Sequence, residues 1–278
     1  GFLIGATAGR TTLNGEGLQH QDGHSHILSS TVPNCVSYDP TYAYELAVIV
    51  QDGLRRMYKE MESVFFYITT MNENYTQPEM PKGSEAGIIK GMYLLEDGES
   101  KENKVAKPRK GTSGQRLRLL GSGTILREVR KAAETLRKDF GVVTDVWSVT
   151  SFNELRKDAL AVDRENMLHP EKKPTASFVT EQLGKQKGPV IATTDYMKSY
   201  ADQIREFVPD TYRVLGTDGF GRSDSREKLR HFFEVDAKFV VLAALTELKE
   251  QGAITAKEIT DFMKKSGISK NKANPVSQ

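Results

Sequence analysis

Leu117-Arg118-Leu119-Leu120-Gly121-Ser122-Gly123 decides the fold, because it leads into Leu126, Val129, Ala132, Ala133 and Leu136 at helical spacing, and then Gly141. The apolar run reads as a strand over 117–120, and the glycines turn the chain into a helix over 124–140. Gly141 ends that helix, because it adopts the left-handed C-terminal conformation without steric cost. A second strand is expected at 145–149 and a helix over 152–167. A strand over 190–193 comes next, then a helix over 196–207 capped by Asp195, and a strand over 213–216. Helices over 225–233, 236–250 and 255–266 finish the chain. Strands joined through helices must run parallel, so the expectation is an α/β fold: a mainly parallel sheet flanked by helices. The Gly121-Ser122-Gly123 turn could hold a phosphate at a helix N-terminus. It lacks the third glycine, the Lys-Ser/Thr pair and the later acidic residue of nucleotide motifs, so it reads as a tight turn.

Upstream the rhythm is similar. Phe2–Ala6 reads as the end of a buried strand, and 31–38 is a short apolar segment interrupted by Pro33. Asp39 as N-cap with Pro40 at the first helical position announces a helix reaching Tyr58. Ser63–Thr70 is a strand by its aromatic and β-branched content. The polar, proline-bearing stretch 72–83 marks a boundary between regions 1–82 and 83–278. A helix over 85–94 is expected next, and 97–114 is so charged and poor in apolar residues that a flexible surface loop is expected.

With 278 residues, 38% of them hydrophobic and 27% charged, the chain can bury a substantial core as one large domain or two. A net charge of +2 gives no argument for nucleic acid or membrane as partners. The single cysteine, Cys35, suits a reducing cytoplasm and reads as a small buried apolar residue. The first ten residues lack a basic region and a long apolar run, so no signal peptide is expected, and the start reads as a cut inside a domain.

Chemistry concentrates in Gly15-Glu16-Gly17-Leu18-Gln19-His20-Gln21-Asp22-Gly23-His24-Ser25-His26, which holds three of the five histidines. Histidine titrates near neutral pH and glycine lets the backbone approach a ligand. Three readings are open. A surface loop can have this composition. A metal site is possible, since His20, Asp22, His24 and His26 would share one side of a strand, although the glycines interrupt any strand. A polar active-site loop would use imidazoles to move protons and Glu16 to tune them. Elsewhere, Arg222, Arg226 and Arg230 would line one helical side, read as a solvated or subunit-facing stripe or as partners for carboxylates. His169 and His231 have no partner nearby in sequence and read as structural.

The stretch from Thr11 to His20, with Asp22-Gly23-His24-Ser25-His26, closely resembles a family: the homodimeric, thiamin-diphosphate-dependent pyruvate dehydrogenase components of bacterial complexes. The resemblance continues through 37–40, 67–75, 166–170, 194–197 and 215–226. It covers nearly the whole chain but only about the C-terminal third of such enzymes.

The resemblance implies a transketolase-like architecture. Residues 1–82 would be the latter part of a pyrimidine-binding domain and 83–278 a transketolase-like C-terminal domain. It implies decarboxylation of pyruvate on thiamin diphosphate with Mg2+, then reductive acetylation of the lipoyl group of a dihydrolipoyl acetyltransferase. His20 would hydrogen-bond the reacting adduct and handle protons, with Glu16 orienting that network. Asp22 and His26 fall on an Asp-Gly-x-x-His pattern that borders the substrate channel in transketolases, and His24 lies between them. The family's Gly-Asp-Gly…Asn diphosphate and magnesium motif is absent, as is the upstream glutamate that activates the aminopyrimidine. The chain alone is therefore expected to be inactive. The alternative is a non-catalytic α/β module for dimerisation or docking.

Overall fold

The computed structural model describes residues 1–278 except Thr7, Gly15, Glu16 and Lys110. Its elements, in order, are β1 (Phe2–Gly5), α1 (Ser25–Ser29), β2 (Cys35–Tyr38), α2 (Ala43–Leu54), β3 (Phe65–Thr69), α3 (Glu85–Lys90), β4 (Met92–Glu96), β5 (Arg116–Gly121), α4 (Leu126–Phe140), β6 (Val143–Val149), α5 (Phe152–Leu168), α6 (Phe178–Gly184), β7 (Val190–Thr193), α7 (Lys198–Asp202), β8 (Tyr212–Leu215), α8 (Arg226–Phe232), α9 (Ala237–Glu250) and α10 (Ala256–Ser266).

Two sheets form among the described residues. The smaller has the order β1-β3-β2, all parallel. The larger runs β4-β6-β5-β7-β8, parallel except for β4, which pairs antiparallel to β6. The mainly parallel α/β expectation therefore holds. Helices cover the larger sheet on two sides, which is why β7 is mostly apolar and both β5 and β7 are buried nearly throughout. On one side α4 and α9 pack Leu126, Val129, Leu136, Val240 and Leu248 against Leu117 and Leu119. On the other, Phe152, Leu155, Val179, Tyr196 and Tyr200 pack on Leu120, Val190 and Ala192. Gly141 ends α4 at φ +63°, in the left-handed region its sequence position predicts.

Several expectations are corrected. Strand β1 is an edge strand rather than a buried one, with Leu3 and Ile4 more than half exposed. The helix expected over 85–94 is a helix and a strand: Gly91, at φ +109°, stops α3, and Met92 enters β4. The helix expected to begin at Asp39 starts at Ala43, with Glu45 accepting the backbone N–H groups of Thr41 and Tyr42. It ends at Leu54 and passes into a π-helical turn, Arg55–Lys59. The expected helix over 196–207 is the short α7 and then a separate 3₁₀ turn, Arg205–Phe207.

The charged stretch 97–114 contains no helix or strand among its described residues, yet it is tied to the body. The Gly98 N–H donates to Asp145 at 2.8 Å, and the buried Thr112 hydroxyl donates to the Phe140 carbonyl at 3.0 Å. Arg116 pairs with Asp145 at 2.7 Å and reaches Asp97 and Glu99 at the start of the stretch. Cys35 is buried, and burial raises its thiol pKa, as suits a packing residue.

Candidate functional site

Parallel strands leave their C-terminal ends on one edge, where connecting loops collect side chains. After β7 the chain turns at Asp195, and after β1 it runs through residues 8–14; the two segments lock together. The Asp195 carboxylate is fully buried. It accepts the Thr11 N–H at 2.9 Å, the Thr11 hydroxyl at 2.6 Å and the Thr12 hydroxyl at 2.7 Å. The Arg10 N–H adds a bond to the Asp195 carbonyl at 3.2 Å. Burial pushes the carboxyl pKa up, opposed by Arg230 and the threonine hydrogen bonds. Gly9 sits at φ +89°, and a Cβ there would collide with Asp195 Oδ2, so the approach requires glycine. Asp195 thus anchors the loop instead of capping a helix.

Beyond this root the loop rises to its tip. Leu18–His20 form a 3₁₀ turn, and Leu18, Gln19 and His20 are exposed. Gln21 turns inward; its amide donates to the Arg222 carbonyl and accepts the Arg222 N–H, joining the tip to the 217–222 loop. Asp22 accepts the backbone N–H groups of His24 at 3.0 Å and Ser25 at 2.9 Å, together with the Ser25 hydroxyl. It thereby satisfies donors that the N-terminus of α1 would otherwise leave free. His24 is exposed. Arg10 lies beneath, buried, donating to the carbonyls of Thr217 at 2.9 Å and Gly219, with its Nη2 3.4 Å from His24 Nδ1.

His26 sits apart from the exposed residues of the loop. It is fully buried on α1, stacked on Tyr200 at 4.8 Å between ring centroids and edge-on to Tyr196 at 4.7 Å. Its Nε2 meets Thr69 Oγ1 at 3.0 Å, and Thr69 donates to Asp39 Oδ1 at 2.8 Å. With the Thr69 hydroxyl donating to Asp39, its oxygen is left to accept, and His26 Nε2–H is the donor. Burial holds the imidazole down at about 3, against the pull of Asp22. Burial also pushes Asp39 up to about 7, opposed by hydrogen bonds from Thr69 and Ser122. Sequence reasoning misses Asp39 because an Asp before a Pro is also the pattern of a helix cap.

The structure therefore leaves both His20 and His24 exposed, with Asp22 half-buried and His26 in the core. Glu16 lies outside the described residues. The segment forms a 3₁₀ turn and a helix, not a strand, so His20, Asp22, His24 and His26 do not share the single side that the metal reading required. No three His, Cys, Asp or Glu side chains among the described residues are grouped to hold a metal ion. Arg226 and Arg230 are loop supports: Arg226 Nε donates to the Thr12 carbonyl at 2.7 Å, and the buried Arg230 pairs with Glu73. Arg222 stacks over Phe232 at 4.7 Å. His169 lies beside Glu165 and Glu171, and His231 beside Asp236, away from the tip.

Comparison with known proteins places both halves. Residues 1–78 match the family model described as the pyruvate dehydrogenase E1 component middle domain, and residues 91–236 match the transketolase-like TK C-terminal domain. The chain is 63% identical over 277 residues to the pyruvate dehydrogenase E1 component of Pseudomonas aeruginosa, covering 99% of this chain and 30% of that protein. It is 58% identical over 277 residues to the Escherichia coli K12 protein of the same name, with the same coverage. The chain thus spans about 30% of the length of these curated relatives. Among solved structures, the transketolase of Campylobacter jejuni superposes with a TM-score of 0.61 at 19% identity, covering 88% of this chain and 31% of that one. Two consecutive family models, a shared fold and this identity along the chain carry one conclusion: the protein belongs to the transketolase-like TK C-terminal domain family and corresponds to the pyruvate dehydrogenase E1 components over the stretch it spans.

Proposed function

We propose that residues 17–26 form one wall of the active site of a pyruvate dehydrogenase E1 component, a thiamin-diphosphate and Mg2+ enzyme. In that reading it decarboxylates pyruvate and reductively acetylates the lipoyl group of a dihydrolipoyl acetyltransferase, as a cytoplasmic homodimer. The observation that carries this is the exposed tip bearing His20 and His24, held by buried groups of both sheets, in a chain 63% identical to such a component. A rigid base under exposed imidazoles is what positioned proton transfer needs.

The family's Gly-Asp-Gly…Asn motif for diphosphate and magnesium does not occur in this sequence. Thiamin diphosphate supplies the electron sink for decarboxylation, and its diphosphate end has to be held by residues outside this chain. The chain's own part is narrower. His20 hydrogen-bonds reacting oxygens and moves protons, Glu16 orients that network, and Asp22, which holds the turn into His24 and Ser25, borders the substrate channel. The two regions, 1–82 and 83–278, supply the loop and its support.

The test is His20→Ala in the full-length protein. Loss of pyruvate turnover by about 100-fold or more is expected, the usual scale of a positioned acid–base group. Turnover at the parent rate would return the loop to a structural role. The chain alone should neither turn over pyruvate nor bind thiamin diphosphate with Mg2+ in calorimetry.

A further inference from the structure

We propose that Arg10 is a positioning residue that fixes His24 as its Nε2–H tautomer, so that His24 offers a hydrogen-bond donor to an anionic or carbonyl oxygen of the substrate. This rests on the reading of the 17–26 tip as a site wall.

A guanidinium has donors and no acceptor. Arg10 Nη2, 3.4 Å from His24 Nδ1, can make a hydrogen bond there only by donating, which requires an unprotonated Nδ1. The remaining proton of a neutral imidazole is then on Nε2. Arg10 has little freedom to move away. Its side chain is buried, Nη1 is engaged by the carbonyls of Thr217 and Gly219, and the ring of Phe233 lies 5.8 Å from its Cζ. Gly23 lies directly against it: a Cβ there would collide with Nη2 and come within 2.6 Å of Cζ, so the backbone leading into His24 rests on the guanidinium. Asp195, Asp22 and Asp218 surround the cation and oppose the burial that lowers its pKa. The Nε of Arg10 is buried without a hydrogen-bond partner among the described residues, a cost that the carbonyl and imidazole contacts offset.

Because the backbone of His24 is held by Asp22 and its Nδ1 by Arg10, the exposed imidazole has one free edge, Nε2–H. A fixed donor aimed at developing negative charge is worth more than a mobile one, because it does not reorganise during the reaction. His20, with no such partner among the described residues, keeps both ring edges available for proton transfer. The two histidines then divide the work: one donates, the other exchanges protons.

The experiment uses the full-length protein labelled with 15N-histidine, with the His24 signals assigned by their loss in His24→Gln. The expected spectrum at neutral pH shows an unprotonated Nδ1 and a protonated Nε2. A protonated Nδ1, with or without Nε2, would falsify the tautomer assignment. Arg10→Lys keeps a donor and should keep the tautomer, whereas Arg10→Met should give a mixture; an unchanged spectrum in a folded Arg10→Met protein removes Arg10 from the proposal. Kinetics then test the donor. The Gln amide reaches about as far as Nε2, so His24→Gln should hold kcat within roughly tenfold, whereas His24→Asn, whose amide reaches only the Nδ1 position, should lose about 100-fold, the scale of one positioned donor. Equal losses in the two variants overturn the donor role. Normal turnover in both, together with normal turnover in His20→Ala, overturns the proposed function and the donor role with it, while the NMR result on Arg10 stands.

Discussion

The root and the tip of the His-rich loop lie a few residues apart and obey opposite rules. At the root, Thr11, Thr12 and Asp195 are almost completely buried, and the carboxylate draws in the Thr11 N–H and both threonine hydroxyls. At the tip, Leu18, Gln19, His20 and His24 face outward. Buried polar groups must be paired, so the root has one geometry and transmits it; the tip has free polar groups because a ligand has to find them. Changes at the root should therefore appear in stability, and changes at the tip in turnover.

Asp195→Ala is the strongest way to break that contrast. It leaves the buried Thr11 N–H and hydroxyl without their acceptor and takes a carboxylate away from the neighbourhood of the Arg230 cation. A loss of about 3–5 kcal/mol is expected in urea denaturation. A loss under about 1 kcal/mol would mean that the root does not hold the loop. Next comes Gly9→Ala, which forces a side chain into the left-handed region and onto Asp195 Oδ2. A cost of about 2 kcal/mol is expected, within the range for strained backbone.

Smaller shifts come from pH. His26 is held at about 3 when folded against 6.5 for the free side chain, so between those values the unfolded state binds more protons and stability falls as pH falls. Asp39, pushed up to about 7 from 3.8, works the other way: its contribution is present at low pH and is lost as pH rises through about 7. His26→Gln should then gain on the parent protein as pH drops below 6.5, while Asp39→Asn should gain on it as pH rises from 3.8 through about 7 and level off above that. Parallel stability curves for parent and His26→Gln across that range would show that His26 is not buried as a neutral ring. The smallest expected effect is that of His20→Ala on stability, within about 0.5 kcal/mol in the same urea experiment, despite its large effect on turnover. A larger change would show that the tip, too, is structural.

Much of the larger sheet is legible in the sequence. Leu126, Val129, Ala132, Ala133 and Leu136 mark the α4 face, and Val190–Thr193 is β7 to the residue. Strand β4 is not legible, because Met92–Glu96 continues the apolar content of α3 and only Gly91 separates them. In the candidate site, the histidine cluster is visible as composition, but its division into tip and core is not. His26 and His24 are two residues apart, and a short helix turns one inward and leaves the other exposed. The supports escape a local reading for a common reason. Asp39 and Asp195 have the local pattern of helix caps, and the same carboxylates accept hydrogen bonds from distant chain when tertiary contacts offer them.

The sequence by itself determined the alternation of strand and helix and the glycine that ends α4, because periodicity and backbone propensity act over a few neighbouring residues; the family shows through the resemblance of its motifs, such as residues 11–26. Tertiary structure alone decided which histidines stay at the surface, which carboxylate anchors the loop, and that Arg10 lies under His24. Those outcomes depend on burial and hydrogen bonding between residues as far apart as Thr11 and Asp195, which no local pattern encodes.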